Sequence, residues 1–206
     1  MDHNLELVKF LREKGVLKSE KLVDCFKNID RKDFVLRENR DIAYEDIPLS
    51  IGYDQTISQP YTVAFMLELL GVKEGDSVLD IGTGSGWTTA LLACAVGNSG
   101  NVSGYEIVPE LVMFGKENLG KYKINNAGIQ LSRDNFTFLV HNYDKILVSA
   151  RADKIPDELV NKLNIGGTMV IPIDSYIYKI NKDENGKLNI GKYYGFSFVP
   201  LILSEK

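Results

Sequence analysis

Asp80, Gly82, Gly84 and Gly86 stand at every second position in the stretch SVLDIGTGSGWTTALLACAV, residues 77–96. Glycine at 82 and 84 admits positive φ and lets a ligand approach the backbone closely. Gly86, where the helical pattern begins, lets helix and strand pack tightly. The spacing differs from the dinucleotide fingerprint G-x-G-x-x-G, which leaves a helix N-terminus open for a pyrophosphate. Here a carboxylate, Asp80, precedes the first glycine by two residues, which suits a ligand with a cationic or hydroxyl-rich part better than a diphosphate. A second acid, Glu106, closes the stretch NVSGYEI. A carboxylate there can accept hydrogen bonds from both hydroxyls of a ribose. A nucleoside without phosphates that carries an amino-acid cation satisfies both acids, and S-adenosylmethionine is such a molecule.

These residues need a strand, a turn and a helix to hold them. SVLDIG reads as a strand and WTTALLACAVG as a helix, followed by NVSGYEI as a strand and VPELVMFGKENLGKYKI as a helix. IQLS, DKILVSA and GTMVIPI read as further strands, with IPDELVNKLN as a helix before the last. Such alternation implies a parallel sheet with helices on both faces. Ligands of these sheets bind beyond the carboxyl ends of the strands, where the connections diverge. The tail YIYKINKDENGKLNIGKYYGFSFVPLIL alternates with period two around DENG, so the sheet ends in an antiparallel hairpin. The N-terminal third reads as helices: LELVKFLREKGV stopping at Gly15, SEKLVDCFKNI capped by Ser19, and YTVAFMLELLGV ending near Gly71. Residues 30–60 show little periodicity, and a loop of that length is more often functional than idle. Charged stretches such as KNIDRKD read as solvated faces.

A chain of 206 residues suffices for one sizeable α/β domain and is short for two. It is read as one domain, with residues 1–76 carrying helices and the substrate-side segment and 77–206 the cofactor-binding sheet and hairpin. The net charge of −4 argues against a nucleic-acid partner, whose phosphates call for a basic face. MDHNLELVKF is not built like a signal peptide, and no apolar run reaches the roughly 20 residues of a membrane span. Cys25 and Cys94 fall in helical patterns among apolar neighbours and read as buried thiols of a cytoplasmic protein rather than a disulfide. His3 and His141 lie in no motif, and no metal site is expected.

Over nearly its whole length the chain resembles the protein-L-isoaspartate O-methyltransferase family. The most specific stretch is YDQTISQPYTVAFMLELL, Tyr53 to Leu70, similar to the family's segment ahead of the cofactor strand. VLDIGTGSGW resembles its first methyltransferase motif, DKILVSARADKIPDELVNKLNIGGTMVIPI its later strand–helix–strand block, and FVPLI its C-terminal signature. The resemblance implies a doubly wound, mostly parallel Rossmann-like methyltransferase sheet with antiparallel C-terminal strands and added N-terminal helices. It also implies S-adenosyl-L-methionine as cofactor and isoaspartyl-containing proteins as substrates. Carried over, Ser58 is the catalytic residue whose hydroxyl contacts the substrate carboxylate, with Ile57, Gln59 and Val199 beside it in substrate binding. Asp80, Gly82, Thr83, Gly84 and Ser85 form the cofactor loop, Glu106 holds the ribose, and Asp134 and Asn135 face the adenine. A monomer is favoured, acting away from membranes and nucleic acid. Two departures stand out. The family's Gly-Asp-Gly reads RDN at Arg133 to Asn135, and its Ala-Ala-Pro-like turn reads SARAD at Ser149 to Asp153.

Methyl transfer to a carboxylate needs no strong base, because the acceptor is already ionised at pH 7. Orientation alone supplies up to roughly 7–11 kcal/mol. Ser58 is therefore expected to donate a hydrogen bond; a nucleophile would need a positioned base, and none is visible. The competing reading of Ser58 is a helix cap. Tyr193, Tyr194 and Phe196 either line a peptide groove or pack on the sheet. A methyltransferase for another acceptor, or a catalytically weak cofactor binder, are the alternative functions.

Overall fold

The computed structural model describes residues 3–132, 136 and 139–201. Helices α1 (His3–Glu13), α2 (Glu20–Asn28) and α3 (Pro60–Leu70) come first, with the strands β1 (Leu49–Gly52) and β2 (Gln55–Ile57) ahead of α3. Then follow β3 (Ser77–Ile81), α4 (Trp87–Val96), β4 (Asn101–Glu106), α5 (Pro109–Gly120) and β5 (Ala127–Leu131). The chain continues through β6 (Tyr143–Val148), α6 (Asp157–Lys162), β7 (Leu163–Ile173), β8 (Tyr176–Lys182) and β9 (Leu188–Tyr194). Seven strands form the main sheet in the order β5-β4-β3-β6-β7-β8-β9. The first five in this order are parallel, and β8 and β9 run antiparallel. β3 lies between β4 and β6, so the connections leaving β3 and β6 diverge there. That is the switch point of a doubly wound sheet.

Side chains alternate across the sheet with the strand period of two. Val78, Leu147 and Val170 face a core shared with α1 to α5, whereas Leu79, Ile146 and Met169 face the core containing Leu159 of α6. Helix α4 is apolar nearly all round because it lies inside the first core, with Trp87, Leu91 and Leu92 buried. Gly15 and Gly71 end their helices with φ of 68° and 61°. Ser19 stands at the N-cap of α2 without a capping bond; its N–H and hydroxyl instead donate to Glu68 of α3. The helix expected over IPDELVNKLN stops at Lys162, because Leu163 already pairs with Tyr143 in the sheet. The aperiodic segment 30–60 contains two 3-10 turns, Arg31–Phe34 and Arg37–Ile42, and the β1–β2 hairpin.

The cysteine expectation is overturned: Cys25 of α2 and Cys94 of α4 form a disulfide, and no described cysteine is free. Their apolar neighbours correctly mark buried helix faces. The sequence does not say that the two faces meet, and packing brings their Cα atoms to 5.7 Å, within bridging range. The bridge spans a sequence separation of 69. Its loss, in the Cys25→Ala/Cys94→Ala variant, is expected to cost about 4 kcal/mol in urea unfolding by loop entropy. Thiol titration of the denatured, unreduced protein is expected to find no free thiol; two free thiols would refute the bridge.

Candidate active site

The turn after β3 is shaped by its glycines. Gly82, Gly84 and Gly86 have φ of 76°, 52° and 88°. A Cβ on Gly84 would meet Ile51 Cδ1 at 3.0 Å, and one on Gly86 would meet the Gly115 carbonyl oxygen at 3.2 Å. The N–H groups of Gly82 and Thr83 both donate to the Tyr105 carbonyl, at 2.8 and 3.3 Å, which ties the turn to β4. Asp80 is fully buried at the end of β3. Its Oδ2 accepts from the hydroxyls of Thr88 at 2.9 Å and Thr89 at 2.7 Å. Its Oδ1 and the buried Thr83 hydroxyl have no partner among the described residues. Burial pushes the Asp80 carboxyl up to about 6; the Thr89 and Thr88 bonds oppose this, and the nearby Glu106 charge adds to it.

Glu106 closes β4 and is almost fully buried. Its Oε2 accepts from Gly84 N–H at 2.8 Å, and its Oε1 accepts from Ile107 and Val108 N–H at 2.8 and 3.1 Å. The carboxylate thus fixes the glycine turn as well as facing the cleft. That cleft is lined by Gly82, Gly84, Tyr105, Glu106, Ile107 and Phe136 among others. Two neighbouring carboxylates, one with an unpartnered buried oxygen, and a glycine cradle fit a cation-bearing nucleoside. Asp134 and Asn135, with Arg133, lie outside the described residues.

The acceptor side is built by Arg31 and Asp46. Arg31 belongs to the stretch expected to be a solvated face, yet it is fully buried. Its guanidinium donates to the carbonyls of Ala43 at 2.6 Å, Glu45 at 3.2 Å, Ile47 at 2.9 Å and Ser58 at 3.2 Å. It also lies 5.4 Å from the Trp87 ring centroid. Burial lowers its pKa to about 10, with the Asp46 charge opposing the drop. Asp46 accepts from the Gln59 side chain at 3.0 Å and from Tyr61 N–H at 2.8 Å. The segment Ser58 to Tyr61 is therefore gripped at both ends. Gln59, not Ser58, occupies the N-cap of α3, which removes the cap reading of Ser58.

Ser58 opens onto a groove of about 810 Å³ whose other walls include Gln59, Tyr61, Tyr194, Phe196 and Val199. Among the described residues, no charged side chain lines it. Tyr194 is 75% exposed, and Phe196 stacks on Phe65 while also lining the groove, so both readings of these aromatics hold in part. A smaller cavity joins groove to cleft and is lined by Ile57, Ser58, Gly82, Thr83, Gly84 and Ser85 among others. Val199 borders both cleft and groove, and its carbonyl accepts from Arg151 N–H at 2.8 Å. Sequence reasoning missed Arg31, Asp46 and Ser149. Arg31 looks like any surface cation in sequence; the only signal was a long aperiodic segment whose carbonyls needed donors.

The sheet order, the glycine turn with its two acids, and the groove opening onto that turn are those of a Rossmann-like methyltransferase. A family model, protein-L-isoaspartate(D-aspartate) O-methyltransferase, matches residues 2–206. The chain belongs to that family. It is 38% identical to the protein-L-isoaspartate O-methyltransferase of Ignicoccus hospitalis, over 97% of each chain. It is 40% identical to that of Pyrococcus horikoshii, over 95% of this chain and 90% of the relative. Among solved structures it is similar to a Plasmodium falciparum chain assigned to the same activity and crystallised with S-adenosyl-L-homocysteine. That match has a TM-score of 0.86 and 27% identity, and it covers 98% of this chain and 99% of the other.

Two expectations follow from the acids. The folded pKa of Asp80 lies above its ordinary value of 3.8, so ionising it opposes folding. That penalty is absent below pH 3.8, grows as pH rises, and is complete above about 6. Asp80→Asn is expected to be more stable than the parent at pH 8 by on the order of 3 kcal/mol, with the gap closing toward pH 4 in urea melts. Glu106→Ala is expected to weaken S-adenosylhomocysteine binding by about 1.5–3 kcal/mol in calorimetry. Intact affinity would remove Glu106 from the cofactor cleft.

Proposed function

We propose that the chain methylates the carboxylate of L-isoaspartyl and D-aspartyl residues in damaged proteins, with Ser58 as the residue that contacts the acceptor. The observation that carries this reading is the position of Ser58. It borders both the uncharged groove and the cavity leading to the glycine turn. A peptide lying in the groove can present a carboxylate there without meeting a competing carboxylate.

When bound, S-adenosylmethionine supplies a methyl group on a sulfonium, a good leaving group. Gly82, Gly84, Thr83 and Ser85 would hold its amino-acid part, with the Asp80 carboxylate behind them. Glu106 would accept from the ribose hydroxyls, and Ile107 and Phe136 would offer apolar surface to the base. Asp134 and Asn135, assigned to the adenine by resemblance, remain part of this reading. Ile57, Gln59 and Val199 would shape the acceptor's approach. The protein needs no general base, since the acceptor is ionised at neutral pH. Its task is to orient the carboxylate and exclude water. A monomer acting on isoaspartyl-containing proteins and peptides is part of this reading. No helix among the described residues is long and apolar enough to cross a membrane. We place the enzyme in the cytoplasm on the strength of its cofactor and substrates, and not of its cysteines, which are paired.

The test is steady-state methyl transfer to an isoaspartyl peptide beside its normal aspartyl twin. Methylation of the isoaspartyl form alone is expected. Ser58→Ala is expected to lower kcat/KM about ten- to a hundredfold, or roughly 1.4–2.8 kcal/mol. Cofactor affinity is expected to change less than about threefold, with little shift in the urea midpoint. Full activity in Ser58→Ala would end the contact role.

A further inference from the structure

A carboxylate acceptor has two oxygens, and Ser58 can serve one. As the peptide seats, the other oxygen leaves water too, and an unsatisfied carboxylate oxygen is costly to bury. Among the described residues, the groove and the joining cavity offer no charged side chain to meet it. Neutral groups remain: hydroxyls, and the Gln59 amide, which already donates to Asp46.

Among the described residues, only Thr56 and Ser149 border all three spaces: the cofactor cleft, the groove and the cavity between them. Thr56 is exposed on the short hairpin strand β2. Ser149 is half-buried and rigidly placed. It directly follows β6 at the switch point, and its N–H donates to the Ile81 carbonyl at the end of β3, at 2.8 Å. The next residue, Ala150, packs beside Gly82. The Ser149 hydroxyl makes no hydrogen bond to the described residues. It stands in the SARAD stretch, where this chain departs from the family pattern.

We propose that Ser149 is a second hydroxyl donor to the acceptor carboxylate, holding the oxygen that Ser58 does not. This rests on the proposed acceptor above. In the reaction one carboxylate oxygen gains a methyl group through its lone pair, the electrons of the broken C–S bond stay on sulfur, and no proton moves. The acceptor's charge therefore falls as transfer proceeds. A donor to that charge binds the starting carboxylate at least as tightly as the transition state, so it contributes to substrate affinity and not to turnover.

The test measures Ser149→Ala by three readings. KM for the isoaspartyl peptide is expected to rise about tenfold or more, the scale of a hydrogen bond to a charged group, with kcat within about twofold. The equilibrium Kd of the peptide for enzyme saturated with S-adenosylhomocysteine is expected to rise by the same factor. The Kd of a control peptide, with that carboxylate replaced by a carboxamide, is expected to change less than about threefold. Unchanged peptide affinity in Ser149→Ala would overturn the proposal, as would equal losses for peptide and carboxamide, which mark a packing role. These outcomes differ from failure of the acceptor assignment itself, in which the parent enzyme would not methylate the isoaspartyl peptide at all.

Discussion

Arg31 donates to four main-chain carbonyls from a position with no solvent exposure, and the acceptor half of the site hangs on those bonds. A buried cation is tolerated only when it is well bonded. Here the carbonyls of Ala43, Glu45, Ile47 and Ser58 replace water, the Trp87 ring faces the guanidinium, and Asp46 supplies a nearby opposite charge. Even with its pKa lowered to about 10, Arg31 stays charged at neutral pH. In return, a segment with few ladder hydrogen bonds gains a fixed path. The path matters because it ends at Ser58 and because Trp87 opens α4, the helix that follows the cofactor turn. One side chain thus sets the acceptor segment against the cofactor helix.

The cofactor half is organised differently, by main-chain geometry at the sheet's switch point. The ends of β3, β4 and β6 converge there, carrying the glycine turn, Glu106 and Ser149. Glu106 grips Gly84, Ile107 and Val108 through their N–H groups, so the same carboxylate that faces the cleft also forms its wall. Between this charged half and the neutral groove lies a cavity lined by hydroxyls and glycines. The division suits a reaction that joins a cation and an anion into two neutral products.

The cofactor half was legible in the sequence, since its residues lie within one strand–turn–helix–strand run and local pattern fixes their places. The parallel sheet and the antiparallel tail were legible for the same reason. What escaped was non-local. Arg31 lies 27 positions before Ser58, and nothing in RKDF distinguishes a buried guanidinium from a solvated one. Cys25 and Cys94 each showed a buried face, but only the packing of α2 on α4 makes those faces one interface. Ser149 showed in sequence only as part of a departure from the family's turn, and the sheet sets it beside Gly82.

The bridge between Cys25 and Cys94 has a topological consequence. The ring it closes contains Arg31, Ser58, Asp80 and the whole glycine turn. A single backbone cut between the two cysteines, for instance at the exposed tip near Tyr53, leaves both fragments covalently joined. The piece that carries Arg31 and Asp46 then cannot diffuse away from the piece that carries Ser58 and the cofactor turn. Nicking of that hairpin opens the chain without dismantling the molecule.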